Sequence, residues 1–280
     1  MNLADERLMT LLGRLQRTAL RDQLDTLLDE AARRDLNLRA ALTFRCQAEV
    51  ARRERRRLEM AARLAKFPFT RTLEDFDCTA RPALAPKHLR DLALCRWVGN
   101  GDGVLLLGPP GVGKTHLAAA LGRAAIQQGY SIPFTTATAL VTGLTKARSE
   151  GRLEERLSHW AKPKLLIVDE LGYLPFEPNA AYLFFQLVSR RYERGSLPIT
   201  SNRSVGEWDQ VFGDPVVATA LLDRLLHHSQ VVTIRGESYR PREKRRSGLL
   251  KPAPGSSTES LSKPVGSIFD VANGSVFDVA

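Results

Sequence analysis

The sequence predicts a three-layer α/β domain on a mostly parallel sheet, preceded by a small all-helical domain. Three observations carry that prediction. From Val104 onward, short apolar strands alternate with amphipathic helices, the texture of βα units. Between the first strand and its helix lies Gly108-Pro109-Pro110-Gly111-Val112-Gly113-Lys114-Thr115, a glycine-rich turn of the form G-x-x-x-x-G-K-T. Ahead of all this, residues 3–66 contain no proline and carry leucines at three- and four-residue steps, the spacing of helix faces.

Taken in order, Leu3, Leu8, Leu11, Leu12, Leu15, Leu20, Leu24, Leu27 and Leu28 set the helical period, and Phe67-Pro68 ends it. Proline disfavours helix in the residue before it. The helical domain is therefore 1–66, with DNA or partner contact as its expected role. A connector occupies 67–98 and includes a short helix over Lys87–Trp97. The α/β domain spans 99–246. Its strands are expected at Val104–Leu107, Ile132–Thr135, Lys164–Asp169, Leu197–Ser201 and Val231–Ile234. Its helices are expected at 114–128, 138–160, 179–193 and 215–227. Residues 247–280 read as a disordered tail, because 251–265 are rich in Pro, Ser and Gly and cannot bury a core. The tail ends in two near-copies, Gly-Ser-Ile-Phe-Asp-Val-Ala (266–272) and Gly-Ser-Val-Phe-Asp-Val-Ala (274–280). Either a duplicated coding end or a docking peptide accounts for them.

Composition narrows the function. A net charge of +10 suggests a polyanionic partner, with a merely solvated arginine-rich surface as the alternative. Cys46, Cys78 and Cys95 are too widely spaced for a disulfide framework or a metal-ligand set. The N-terminus lacks a signal-peptide pattern, and no segment reaches the roughly 20 apolar residues of a membrane span. A cytoplasmic protein without membrane contact is expected.

The glycine-rich turn is suited to phosphate. Gly108, Gly111 and Gly113 let backbone N–H groups wrap phosphate oxygens, with Pro109, Pro110 and Val112 completing the loop and His116 following it. Lys114 reaches the β- and γ-phosphates of ATP, and the Thr115 hydroxyl holds magnesium. The strand Leu165-Leu166-Ile167-Val168 ends in Asp169-Glu170, at the strand end where open α/β sheets bind ligands. Asp169 is expected on the magnesium ion and Glu170 on the attacking water. Asn202, closing Leu197-Pro198-Ile199-Thr200-Ser201, points its amide at the γ-phosphate or that water. Pro198 is unusual there, since a central strand normally excludes proline. The tandem His227-His228 reads as structural: adjacent helical residues point about 100° apart.

The runs GPPGVGKTHLA, LLIVDELGYLPF, RYERGS, ITSNRSVGEW, VFGDPVVATALLDRLLHH and RGESYR resemble the IstB-type transposition helper ATPases of insertion sequences. Those proteins are relatives of the DnaC helicase loaders and DnaA initiators in the AAA+ class. The resemblance covers roughly residues 5–250. It implies a P-loop AAA+ ATPase domain and an ATP-dependent homo-oligomer on double-stranded DNA that serves a cognate transposase. It further implies that Arg224 acts on a neighbour's γ-phosphate and that Arg240 senses nucleotide within its own subunit. A helicase loader and an ATP-binding DNA-coating protein with little turnover are the alternatives.

Two basic clusters are candidates for DNA. One is Arg52, Arg53, Arg55, Arg56 and Arg57; the other is Lys146, Arg148 and Arg152. Neither interleaves aromatic residues, so phosphate contact to duplex fits better than base stacking. A solvated helix face is the alternative for each.

Overall fold

The computed structural model describes residues 37–70, 72–76 and 86–236, together with Thr10, Thr26, Asp29 and Arg33, which are helical. Arg240, most of the leucine-rich stretch before Asn37 and the C-terminal repeat lie outside the described residues. The chain divides into two units, Met1–Arg63 and Leu64–Ala280.

The first unit contains most of α1 (Leu38–Ala65), 28 residues without glycine or proline, whose last two belong to the second unit. Asn37 Oδ1 accepts from the Ala40 N–H at 2.9 Å and so satisfies an orphan donor of the first turn. Lys66 takes a left-handed φ of 58°, and Pro68 prevents the helix from resuming.

In the second unit the expected helix over 87–97 is two short ones, α2 (Pro86–Ala93) and α3 (Arg96–Asn100). They part at Cys95, whose φ is 54° and whose buried thiol is pushed up to about 11. Then come β1 (Gly103–Leu107), α4 (Lys114–Gln127), β2 (Phe134–Thr136), α5 (Ala137–Ser149), α6 (Leu153–Ala161) and β3 (Ile167–Leu171). They are followed by α7 (Pro178–Arg191), β4 (Pro198–Ser201), a 3-10 turn at Val205–Glu207, α8 (Trp208–Phe212), α9 (Pro215–His227) and β5 (Ser229–Thr233). The strand expected at 132–135 begins two residues later, beyond Pro133, which has no N–H to give a ladder. Its carbonyl accepts from Ile167 N.

All pairings are parallel, in the order β2-β3-β4-β1-β5. Side chains alternate across the sheet. Leu105, Leu107, Val168 and Ile199 face a core with α5, α6, α7, α8 and α9, while α4 buries Leu117, Ala118 and Leu121 on the opposite face. Burial on both faces explains why these strands read as continuous apolar runs. Pro198 is tolerated because it is the first residue of β4, where a missing donor interrupts least.

The connector lies along α4. A Cβ on Gly122 would come within 2.7 Å of the Phe67 ring and 2.8 Å of Ile167, so glycine here makes room for Phe67. Arg123 donates to Phe69 O at 3.1 Å. His116 Nε2 sits 3.1 Å from Thr72 O, and its ring meets the rings of Phe69 and Phe76 edge to face.

Arg191 ties the opposite edge. It is 1% exposed, and its guanidinium donates to the carbonyls of Trp160, Ala161, Pro163 and Ser196. Burial lowers its pKa to about 10. A Cβ on Gly195 would stand 2.8 Å from Arg191 Nη2, so the run RYERGS holds both a buried cation and the glycine that admits it.

Candidate nucleotide site

The turn between β1 and α4 takes its shape from backbone conformations that glycine supplies. Gly108, Gly111 and Gly113 have φ of 145°, 82° and 97°, a region that side chains rarely adopt. Val112 is fully buried and pins the loop, while Pro109 and Pro110 are exposed. Lys114 opens α4. Its Nζ donates to Gly108 O at 2.6 Å and Pro109 O at 2.8 Å, so the ammonium folds over the concave side of its own loop. Burial lowers its pKa, and the charge of Asp169 acts the other way. These residues fit a nucleotide triphosphate: a glycine cradle at a helix N-terminus, with a buried cation poised above it.

β3 delivers the carboxylates through a break in its register with β4, between Val168 and Leu171. Glu170 sits in the break with φ 61°, strained for a residue with a side chain. Its N–H finds no ladder partner and donates instead to Thr200 Oγ1 at 3.0 Å. Thr200 in turn donates to Asp169 Oδ1, which also receives Thr115 Oγ1 at 3.0 Å. Asp169 is 3% exposed. Burial raises its pKa, opposed by the hydrogen bonds from Thr200, Thr115 and the Glu170 backbone and by the charge of Lys114. Glu170, one residue on, is exposed. The irregularity thus splits two adjacent acids into one anchored against Thr115 and one free to face a ligand.

Asn202 follows β4 directly. Its Oδ1 is buried and has no hydrogen-bond partner among the described residues, which fits a group awaiting a ligand or water. The rest of ITSNRSVGEW is local scaffold. Ser204 and Glu207 form a reciprocal capping box at the 3-10 turn, and Trp208 is wholly buried. Thr200 went unnoticed in the sequence, although a hydroxyl inside a strand buried on both faces needs a polar partner.

A family model described as IstB-like ATP binding protein matches residues 10–247. The chain belongs to this family. It is 45% identical over 243 residues to the insertion sequence IS21 ATP-binding protein of Pseudomonas aeruginosa, covering 87% of this chain and 92% of that one. It is 40% identical over 240 residues to the insertion sequence IS5376 ATP-binding protein of Geobacillus stearothermophilus, covering 86% and 96%. Among solved structures, AMPPCP-bound DnaA from Aquifex aeolicus matches with a TM-score of 0.51 at 18% identity, over 66% of this chain and 57% of that one. That likeness is one of fold, a parallel sheet between two layers of helices with the glycine loop after its first strand.

The remaining expected residues of this IstB-like chain lie on other elements. Arg224 is half-buried near the C-terminus of α9, its guanidinium 4.6 Å from the Phe185 ring centre and donating to Ala220 O at 3.3 Å. It shares a cleft with Gly101, Gly103 and His228, at the end of β1 opposite the glycine loop. On α1, Arg53, Arg55, Arg56 and Arg57 are exposed and Arg52 half-buried; Arg53 pairs with buried Glu49 at 2.9 Å and Arg57 with Glu54 at 2.7 Å. Lys146, Arg148 and Arg152 are exposed around the α5–α6 turn, where Lys146 and Arg152 share Glu150. Among the described residues no helix is long and apolar enough to cross a membrane.

Proposed function

We propose that this chain is a DNA-binding AAA+ ATPase that helps an insertion sequence transpose. In this reading it assembles as a homo-oligomer on double-stranded target DNA in its ATP state and recruits or activates a partner transposase. The observation that carries the reading is the Thr115–Asp169 contact beside the strained Glu170, at the carboxyl ends of β1 and β3. The family and its insertion-sequence relatives supply the biological setting.

In the mechanism, loop N–H groups and Lys114 hold the β- and γ-phosphates, so the ammonium exchanges two loop carbonyls for phosphate oxygens. Thr115 Oγ1 and Asp169 Oδ1 would hold magnesium, which when bound neutralises charge on the phosphoryl oxygens. Thr200 keeps Asp169 aimed at that position and fixes the backbone of Glu170. Glu170 polarises the attacking water, and the Asn202 amide orients that water or the γ-phosphate. In this reading Arg224 does not serve its own loop, because β1, with a rise of roughly 3.3 Å per residue, puts about 13 Å between its two ends. A neighbouring subunit is the site it suits. The exposed basic residues of α1 and of the α5–α6 turn supply phosphate contacts without base readout.

The test is steady-state ATP hydrolysis with and without duplex DNA, alongside DNA affinity across a salt series. Turnover that rises with DNA, and affinity that falls steeply with salt and depends little on sequence, are expected. Absence of turnover with DNA present removes the enzymatic reading, and a shallow salt slope removes the phosphate-contact reading.

A further inference from the structure

At the amino edge of the sheet, far from the nucleotide loop, three side chains from two helix ends converge. Glu193 follows α7, His227 is the last residue of α9, and His228 follows it. We propose that Glu193, His227 and His228 bind a divalent transition-metal ion of the zinc class.

Backbone geometry brings the donors together. His228 leaves the helix with φ −127° and ψ 44°, so the two imidazoles do not diverge as helical neighbours would; their ring centres lie 4.1 Å apart. Glu193 holds a left-handed φ of 58°, and its Oε1 lies 3.5 Å from His228 Nε2. One ligand atom from each of the three residues lies within 4.8 Å of the others, the one such grouping of His, Cys, Asp and Glu among the described residues. A tetrahedral ion with bonds of about 2.0–2.1 Å spaces its donors roughly 3.3 Å apart. All three side chains are exposed, so small rotations close the difference without disturbing a core.

A second feature favours metal over a simple ion pair. Tyr192 Oη lies 2.7 Å from His227 Nδ1, a contact that orients the ring as outer-shell hydrogen bonds orient metal-bound histidines, and with Nδ1 so engaged Nε2 is the nitrogen to offer a ligand. An exposed Glu193–His228 ion pair alone is weak and gives the second imidazole no part. Two nitrogens and one carboxylate oxygen suit zinc, nickel or copper better than magnesium or calcium. The fourth position is left to water or to a donor from another molecule. Bound metal would clamp the end of α7 to the end of α9, one turn beyond Arg224.

The full chain, free of any histidine tag and stripped of metal, is titrated with Zn2+ by calorimetry and with Co2+ by visible absorption, without nucleotide. One equivalent of each is expected, with the intense bands of four-coordinate Co2+. His227→Ala, His228→Ala and Glu193→Gln should each weaken binding at least about tenfold, while Cys46→Ser leaves it unchanged. Circular dichroism confirms that the variants fold. No saturable binding by the wild-type chain, or unchanged affinity in any one of the three variants, overturns the proposal.

Discussion

At the carboxyl edge of the sheet, Lys114, Thr115, Asp169, Glu170 and Asn202 each sit in a run of sequence continuous with the strand that positions them. At the amino edge, Arg191, Tyr192 and Glu193 end one helix, Arg224, His227 and His228 end another, and the two groups meet across 35 residues of chain. Both edges hold buried or strained polar groups, yet they use them differently. Asp169 is buried against two hydroxyls at a mouth that suits a ligand, whereas both terminal nitrogens of Arg191 are taken up by four carbonyls and only its Nε is without a partner among the described residues. A buried charge marks a site when its partners leave a ligand position open, and a staple when they enclose it.

Substitutions sharpen this contrast. The largest effect is expected at the carboxyl edge. Lys114→Ala should abolish ATP binding, read by nucleotide titration, because its ammonium is the cation that folds over the loop. Glu170→Gln should keep ATP binding and lower hydrolysis about 100-fold or more, since it retains size and removes the group that polarises water. Equal turnover in the two proteins would move the catalytic role elsewhere.

At the amino edge the expected effect is on stability. Arg191→Met should destabilise the fold by at least about 3 kcal/mol, since four carbonyls lose a charged donor. The urea midpoint measures this, and an unchanged midpoint would show that water replaces the guanidinium. A smaller change of opposite sign is expected from Asp169→Asn. Burial raises the Asp169 pKa above its unfolded value, so the carboxyl favours the folded state below the unfolded pKa. That contribution is lost as pH rises through the folded pKa. Near neutral pH the amide removes the buried charge while still accepting from Thr115 and Thr200. Tm should therefore rise by about 2–4 °C, the shift that ~1 kcal/mol produces in a domain of this size, and the gain should vanish in acid. Hydrolysis should be lost in the same protein.

Much of the carboxyl edge was legible because its signals are local. A glycine-rich run before a helix and acids after an apolar strand state their geometry within a few residues, and α9 ran from Pro215 to His227 as expected. The expected helix over 87–97 failed at Cys95, where a left-handed φ on a residue with a side chain gives no compositional warning. Thr200 was passed over because its partners, Asp169 and the Glu170 N–H, come from a strand some 30 residues earlier, across a register break. The His227–His228 geometry was misjudged for a related reason: helical spacing was assumed through His228, where the helix has already ended.

The central claim is that the two edges complete one another between subunits, and mixing two inactive proteins tests it most directly. Arg224→Ala should bind ATP normally but fail to hydrolyse it or assemble on DNA, since its own loop is intact. Lys114→Ala supplies a working Arg224 and no nucleotide pocket. With co-assembly established by cross-linking, a mixture of the two contains some whole junctions, so partial DNA-stimulated hydrolysis should return. A co-assembled mixture that stays inactive would contradict the account and leave Arg224 a structural residue packed on Phe185.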